Sequence, residues 1–240
     1  MLSVTQLNSI KKILQIDNKL DFQLLQEALT HKSVKVKDKK IKDNERLEFL
    51  GDAVLELIVT EYLFANFSDL NEGELTALRS SLVKTDSLAN EFKRLKLNKF
   101  IIMSGGEDAG GGRTNPYTLA NFFESVLGAI YLSCGYEVSK AFVHRELLYK
   151  LDNIIKHKLH KNAKTQVQEI VQDHFKITPE YKEISSSGPD HNKVFEMGLY
   201  AGSIMLTTGK GNNKQKAEEY AAIEFLKKTD YYLEKIREKL

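Results

Sequence analysis

The run Asn44-Glu45-Arg46-Leu47-Glu48-Phe49-Leu50-Gly51-Asp52 holds the densest set of groups able to do chemistry. On a helix, Glu45, Glu48 and Asp52 fall at i, i+3 and i+7, so three carboxylates project from one face beside an otherwise apolar surface. Like charges at that spacing oppose helix formation unless cations compensate them. A second pair, Asn121 and Glu124, stands at i, i+3 on a stretch whose other positions are Phe122, Phe123, Val126, Leu127, Ile130 and Tyr131. An acid on so apolar a helix needs a partner. If the two segments pack together, Glu48, Asp52, Glu124 and the Asn121 amide converge into an all-oxygen site suited to Mg²⁺ or Mn²⁺. The competing reading has these acids solvated or ion-paired, with Arg46, Arg79 or Arg113 as partners. Gly51 favours packing, because a glycine inside a helix costs about 1 kcal/mol relative to alanine and close approach of a neighbouring helix would account for it.

The elements that must position these groups are helices. Val4, Leu7, Ile10 and Leu14 share a helical face, and Asp21 suits an N-cap for a helix over 22–29. A lysine-rich stretch over 34–42 predicts an exposed loop. A long amphipathic helix follows to about residue 67, with Leu47, Leu50, Val54, Leu55, Ile58 and Tyr62 inside. Further helices are expected near 71–82, 87–95, 119–132 and 138–158, with a mobile glycine-rich loop over 105–116. After a polar linker at 159–161 the periodicity changes. A helix over 163–175 precedes strand-like runs at 181–186, 193–200 and 203–208, and a helix over 212–228 closes an α-β-β-β-α module. The fold class is therefore an all-α domain over 1–158 followed by a small α+β domain over 162–230, with a helical tail at 231–240.

Composition excludes several classes. Of 240 residues, 42% are hydrophobic and 28% charged, with three prolines, which rules out collagen-like and wholly disordered chains. Glu56 and Glu61 interrupt the richest apolar run, so no membrane span is expected, and the start lacks a secretory signal, which points to the cytoplasm. The lone Cys134 can form neither an internal disulfide nor a thiolate cage and reads as packing. Residues 162–240 carry twelve Lys/Arg against twelve Asp/Glu, leaving 23 against 21 for the rest. Neither part is basic, so nucleic-acid binding has to rest on where particular lysines lie.

The 44–52 run resembles the signature of the ribonuclease III family, and Leu29-Thr30-His31-Lys32-Ser33, Glu72-Gly73-Glu74-Leu75 with Arg79, and Glu124-Ser125-Val126-Leu127-Gly128-Ala129 match family segments in the same order. The resemblance implies a Mg²⁺-dependent endonuclease for double-stranded RNA, with Mn²⁺ as substitute, acting as a homodimer. Such enzymes leave 5′-phosphates and short 3′ overhangs, and serve ribosomal RNA precursor processing and decay of structured transcripts. It places the cation on Glu48, Asp52, Asn121 and Glu124, adds Glu45 and Glu72 to the catalytic groove, and puts Phe49 in the dimer interface. The family pattern has aspartate where this chain has Asn121. An amide oxygen still suits a hard cation, but one negative charge is gone. A cleavage-impaired double-stranded-RNA-binding protein is therefore the alternative, and an engineered substrate-trapping variant would look the same.

The second module resembles a double-stranded-RNA-binding domain. Thr165, Gln168 and Glu169 would meet a minor groove, Pro189 and His191 a second one, and Lys210, Asn213, Lys214 and Lys216 the phosphates between them. Gln215 separates the usual lysine pair and Glu218 stands where relatives carry a base, so weaker phosphate binding with a shallow salt dependence is expected. His31, with no second histidine at ligand spacing, reads as a hydrogen-bonded structural residue. Phe122, Phe123, Ile130 and Tyr131 read as core or dimer contact, and Tyr231-Tyr232 as packing for the last helix.

Overall fold

The computed structural model describes residues 1–16, 20–35, 42–158, 160–189 and 193–239. The chain divides into two compact units, Met1–His160 and Lys161–Leu240. Among the described residues no helix is long and apolar enough to cross a membrane.

The first unit is helical: α1 (Val4–Leu14), α2 (Phe22–Ala28), α3 (Lys32–Lys35), α4 (Glu45–Asn66), α5 (Glu72–Val83), α6 (Thr85–Arg94), α7 (Gly105–Ala109), α8 (Pro116–Cys134), α9 (Tyr136–Glu146) and α10 (Leu151–Lys156). α8 is the axle of this unit. Asn115 caps it by accepting from the amides of Tyr117 and Thr118, Pro116 opens it, and Gly135 at φ 82° ends it. Phe122, Phe123, Leu127 and Ile130 are buried on it, which places three of the four aromatic-stripe residues in the core, with Tyr131 partly buried against it. α4, α6 and α2 surround it.

Some expectations fail here. Val4 is 66% exposed, while Leu7, Ile10 and Leu14 are buried. The lysine-rich segment begins as helix α3 rather than loop, and its positions 36–41 lie outside the described residues. The glycine-rich segment is not a plain loop, since α7 forms in it, capped by Ser104, whose hydroxyl accepts from Glu107 N. The helix expected over 138–158 is two helices, parted at Leu147 (φ −127°) by a 3₁₀ turn over Leu148–Lys150.

Near that break lies a buried ionic knot. Glu91 of α6 and Glu146 of α9, 2% and 4% exposed, are held by Arg94, Arg145, Lys150 and the Tyr149 hydroxyl. Burial alone would raise the Glu91 carboxyl, but the bonds from Lys150, Arg94 and Tyr149 outweigh it and hold the group below its ordinary range.

The second unit comprises α11 (Ala163–Phe175), an antiparallel sheet in the order β1 (Pro179–Ser187), β2 (Val194–Ala201), β3 (Ile204–Gly211), then α12 (Lys214–Lys227) and α13 (Thr229–Arg237). Val167 and Val171 of α11 meet Leu199, Leu206 and the α12 residues Ala221, Ala222 and Phe225. Gly209 lets α12 lie against the sheet, because a Cβ there would stand 2.2 Å from the Ala217 carbonyl. Tyr232 stacks on Phe225 at 5.5 Å, whereas Tyr231 is 60% exposed.

Candidate active site

Two glycines set where α4 and α8 cross. A Cβ on Gly51 would lie 1.8 Å from the Glu124 carbonyl oxygen, and one on Gly128 would lie 2.3 Å from the Leu47 carbonyl oxygen. Backbone therefore touches backbone, which is the packing that a mid-helix Gly51 foretold. The crossing brings Glu48 and Asp52, one turn apart on α4, beside Asn121 and Glu124, one turn apart on α8.

A cleft of about 330 Å³ opens along this seam, lined by Glu45, Glu48 and Asn121 together with His31, Lys32, Asn44, Glu107, Tyr117 and Thr118. Glu48 is half-buried. The Asn44 amide donates to its carboxylate at 3.2 Å, and the Asn121 amide favours its charged form from α8. Even so, burial first and the Glu45 charge second push the Glu48 carboxyl above its ordinary value. Glu124 is displaced further, to about 8, by burial and then by the charges of Asp52, Glu48 and Glu56.

The three acids are thus near enough to repel one another, and no ion pair to Glu48, Asp52 or Glu124 exists among the described residues. Of the arginines considered as partners, Arg79 pairs with Glu56 at 2.9 Å and Arg113 with Asp108 at 2.9 Å. Among the described residues, no three acidic, histidine or cysteine side chains are drawn up around a common point. The charge of Lys32 offsets Glu48 in part, and the carboxylate oxygens along this seam are of the donor type that hard divalent cations take.

The cleft wall opposite α8 is braced by the 30–33 segment. His31 N donates to the Ile102 carbonyl at 2.7 Å, His31 Nδ1 and the Ser33 hydroxyl are hydrogen-bonded at 2.9 Å, and that hydroxyl accepts from Ser104 N at 3.0 Å. The Asn44 amide N–H donates to the Thr30 carbonyl, fixing the start of α4. His31 is thereby a hydrogen-bonded structural residue that also lines the cleft. Lys32, paired with Glu45 at 3.1 Å, is the cation among the lining residues. Arg113 donates to the carbonyls of Asn98 and Ile101 and grips Asp108, so the segment carrying Glu107 is tied down.

Lys32, Glu107, Tyr117 and Thr118 escaped the sequence reading as site residues. Lys32 sat inside a recognised segment, whereas Glu107 was hidden in the glycine-rich stretch. Glu72 does not line this cleft. It opens α5 in a separate concavity of about 410 Å³ with Thr60, Phe64, Leu75 and Arg79. Phe49, 81% exposed, stands over another concavity lined by Leu24, Leu47, Leu50 and Leu132, and Leu57 and Phe64 continue the exposed apolar side of α4.

In the second unit, Thr165 and Gln168 are exposed on the first turns of α11 and share a groove of about 510 Å³ with Tyr181, Gln215 and Glu219. Glu169 is tied to Lys161 at 2.6 Å, and Lys164 pairs with Glu218. Asn213 caps α12, accepting from Lys216 N at 2.8 Å, and leaves the helix start to Lys214 and Lys216. Lys210 is exposed on β3, and Pro189 is exposed beyond β1. His191 lies outside the described residues.

Comparison with known proteins gives two matches that divide the chain as the units do. Residues 21–151 match the family described as Ribonuclease-III-like, and residues 163–229 match the double-stranded RNA binding motif. The chain is 44% identical over 223 residues to "Ribonuclease 3" of a Nitratiruptor species, covering 91% of this chain and 97% of that protein. It is 46% identical over 199 residues to "Ribonuclease 3" of Campylobacter fetus, covering 83% and 87%. The first unit resembles the solved nuclease domain of ribonuclease III from Campylobacter jejuni, at TM-score 0.54 and 44% identity over 58% of this chain and 94% of that one. That structure is described for flexibility in a region involved in dimer formation.

Proposed function

Because this chain belongs to the bacterial ribonuclease III family, we propose that it is a Mg²⁺-dependent endonuclease for double-stranded RNA, whose first unit cuts and whose second unit holds the duplex. The products carry 5′-phosphates and short 3′ overhangs, and the substrates are ribosomal RNA precursors and structured transcripts in the cytoplasm. The observation that supports this reading lies beside the Gly51–Gly128 crossing, where burial and the charges of Asp52 and Glu48 lift the Glu124 carboxyl to about 8 and none of these three acids has an ion pair among the described residues.

Glu48, Asp52 and Glu124 would hold the cation, with the Asn121 amide oxygen as a fourth donor. When bound, the ion supplies a lowered pKa for the attacking water and charge stabilisation at the phosphate. The residues of the chain do the rest. The Asn44 amide donates to Glu48 and orients it, and the Asn121 amide favours its charged form against burial. Lys32 balances Glu45 at the mouth of the cleft, where a phosphate would otherwise meet only negative charge. Glu72, away from this cleft within one chain, acts at the groove of the assembled dimer. Phe49 forms its contact with a second copy, and two copies place one cleft on each strand.

In the second unit Thr165, Gln168, Glu169, Pro189 and His191 meet the minor grooves, and Lys210, Asn213, Lys214 and Lys216 the phosphates, so shape rather than sequence selects the substrate. The test is a long RNA duplex incubated with the protein over a range of Mg²⁺. Shortening to discrete products that stops on Glu124→Gln is expected, and an intact duplex at every Mg²⁺ level would overturn cleavage. Asn121 supports a second reading, a duplex-binding protein that cuts poorly. Under it the wild-type chain binds without cutting, and Asn121→Asp restores cleavage.

A further inference from the structure

We propose that Glu183 and Glu196 set the affinity for duplex RNA by competing with its phosphates for Lys214 and Lys210. The inference rests on the reading of the second unit as the duplex-binding module. Lys214 Nζ lies 2.8 Å from the Glu183 carboxylate, linking the first turn of α12 to β1 where the strand register shifts between Glu183 and Ser185. Lys210 faces Glu196 in the β2–β3 register, with Nζ 3.7 Å from a carboxylate oxygen that also accepts from the Ser185 hydroxyl at 3.0 Å. Of Lys210, Lys214 and Lys216, the first two are ion-paired and Lys216 has no ion-pair partner among the described residues. Lys193 and Lys214 both stand over the Phe195 ring, at 5.5 and 5.9 Å, and the charges of both favour the Glu183 carboxylate.

The Lys214–Glu183 pair is exposed and the Lys210–Glu196 pair partly so, and such pairs near the surface contribute little to folding. Their effect falls on binding. A lysine that docks on a phosphate releases a counterion from the RNA, which is the origin of the affinity and of its salt dependence. A lysine that first leaves a carboxylate exposes a new anion beside the polyanion, and that anion repels phosphate and gathers a cation from solution. The gain from one contact is largely cancelled. Two of three lysines behave this way here, so the chain binds weakly with a shallow salt slope, and a ligand engages only if it delivers phosphates to both positions at once, as a rigid duplex does.

The experiment measures binding of the full chain, in EDTA to prevent cleavage, to a labelled duplex of about 20 base pairs, slightly longer than the ~16 such a module spans. Glu183→Gln and Glu196→Gln are compared with wild type, Lys214→Ala and Lys210→Ala between about 50 and 200 mM salt, with a single strand of the same sequence as control. Glu183→Gln is expected to bind roughly three- to tenfold tighter at the low-salt end and to steepen the slope of log K against log salt by up to about 0.9, with Glu196→Gln giving a smaller change of the same sign. Lys214→Ala should weaken binding. Unchanged affinity and slope in both glutamine variants, with Lys214→Ala still weakening binding, overturns the inference and leaves duplex recognition standing. A wild-type chain that does not distinguish duplex from single strand, or lysine variants that bind as wild type, overturns the reading beneath it and the inference together.

Discussion

Glu91 and Glu124 are both largely shielded glutamates on helices of the first unit, and their surroundings treat them in opposite ways. Around Glu91 the fold supplies Arg94, Lys150 and Tyr149, and the carboxyl stays below its ordinary range. Around Glu124 it supplies Asp52, Glu48 and Glu56, and the carboxyl rises to about 8. A buried acid that exists for the fold is paired by the fold. One left among like charges is unstable by itself and needs something from outside the chain. The contrast marks Glu124 as a candidate functional carboxylate and Glu91 as part of the fold's own ionic network.

The sharpest way to break it is Glu124→Gln. Cleavage should fall by on the order of a thousandfold, since cation-assisted stabilisation is worth several kcal/mol. Meanwhile the metal-free fold should gain. Glu124 has a raised folded-state pKa, so its contribution is intact below the unfolded value near 4.5 and is lost as pH rises through about 8. Metal-free melting at pH 9 should therefore favour Glu124→Gln over wild type, with little difference at pH 5. A variant that melts lower at pH 9 would contradict the assignment.

Glu91→Gln should do the reverse, lowering stability by about 1–3 kcal/mol because the charge-assisted bonds from Lys150, Arg94 and Tyr149 lose their carboxylate acceptor, while these partly exposed cations regain water. Its depressed carboxyl gives the opposite pH sign, stability present above the unfolded value and lost as pH falls below it. Denaturant titration at pH 4 and 7 reads both effects. Gly51→Ala tests the crossing itself. A methyl 1.8 Å from a carbonyl oxygen forces the helices apart, at about 2–3 kcal/mol of stability with loss of cleavage even in the folded fraction. Preserved stability would mean the seam can slide. Asn121→Asp is the smallest change, an expected rise of about tenfold in cleavage, or ~1.4 kcal/mol, as the cleft regains a charge for the cation. A fall would assign Asn121 to holding Glu48 rather than to metal.

Much of this was legible in the sequence for local reasons. The i, i+3, i+7 acids fixed their own face of α4, the apolar run announced α8, and Gly51 signalled the close approach. The turn signals at Gly188-Pro189 and Gly202 parted the strands of the second unit. What escaped depends on contacts distant along the chain. Leu147, Leu148, Leu151 and Ile154 keep a helix-like spacing, so nothing local betrays the break between α9 and α10. α7 forms in a glycine-rich stretch because Ser104 caps it and Arg113 anchors the segment after it, and that anchoring brings Glu107 to the cleft. The Lys32–Glu45, Lys214–Glu183 and Lys210–Glu196 pairs join residues from different elements, so even a correct charge count missed which lysines were engaged.

The seam at Gly51 and Gly128 also has a mechanical meaning. Where two rods touch, any rocking of one on the other turns about the point of contact, and displacement grows with distance from it. Asp52 and Glu48 sit about 1.5 and 4.5 Å along the axis from Gly51, while the far end of α4 lies about 22 Å away. A tilt of a few degrees that swings Asn66 by about an ångström moves the backbone of the two acids by a fraction of that. The carboxylates are mounted at the fulcrum, so thermal swaying spends itself at the tips of the levers.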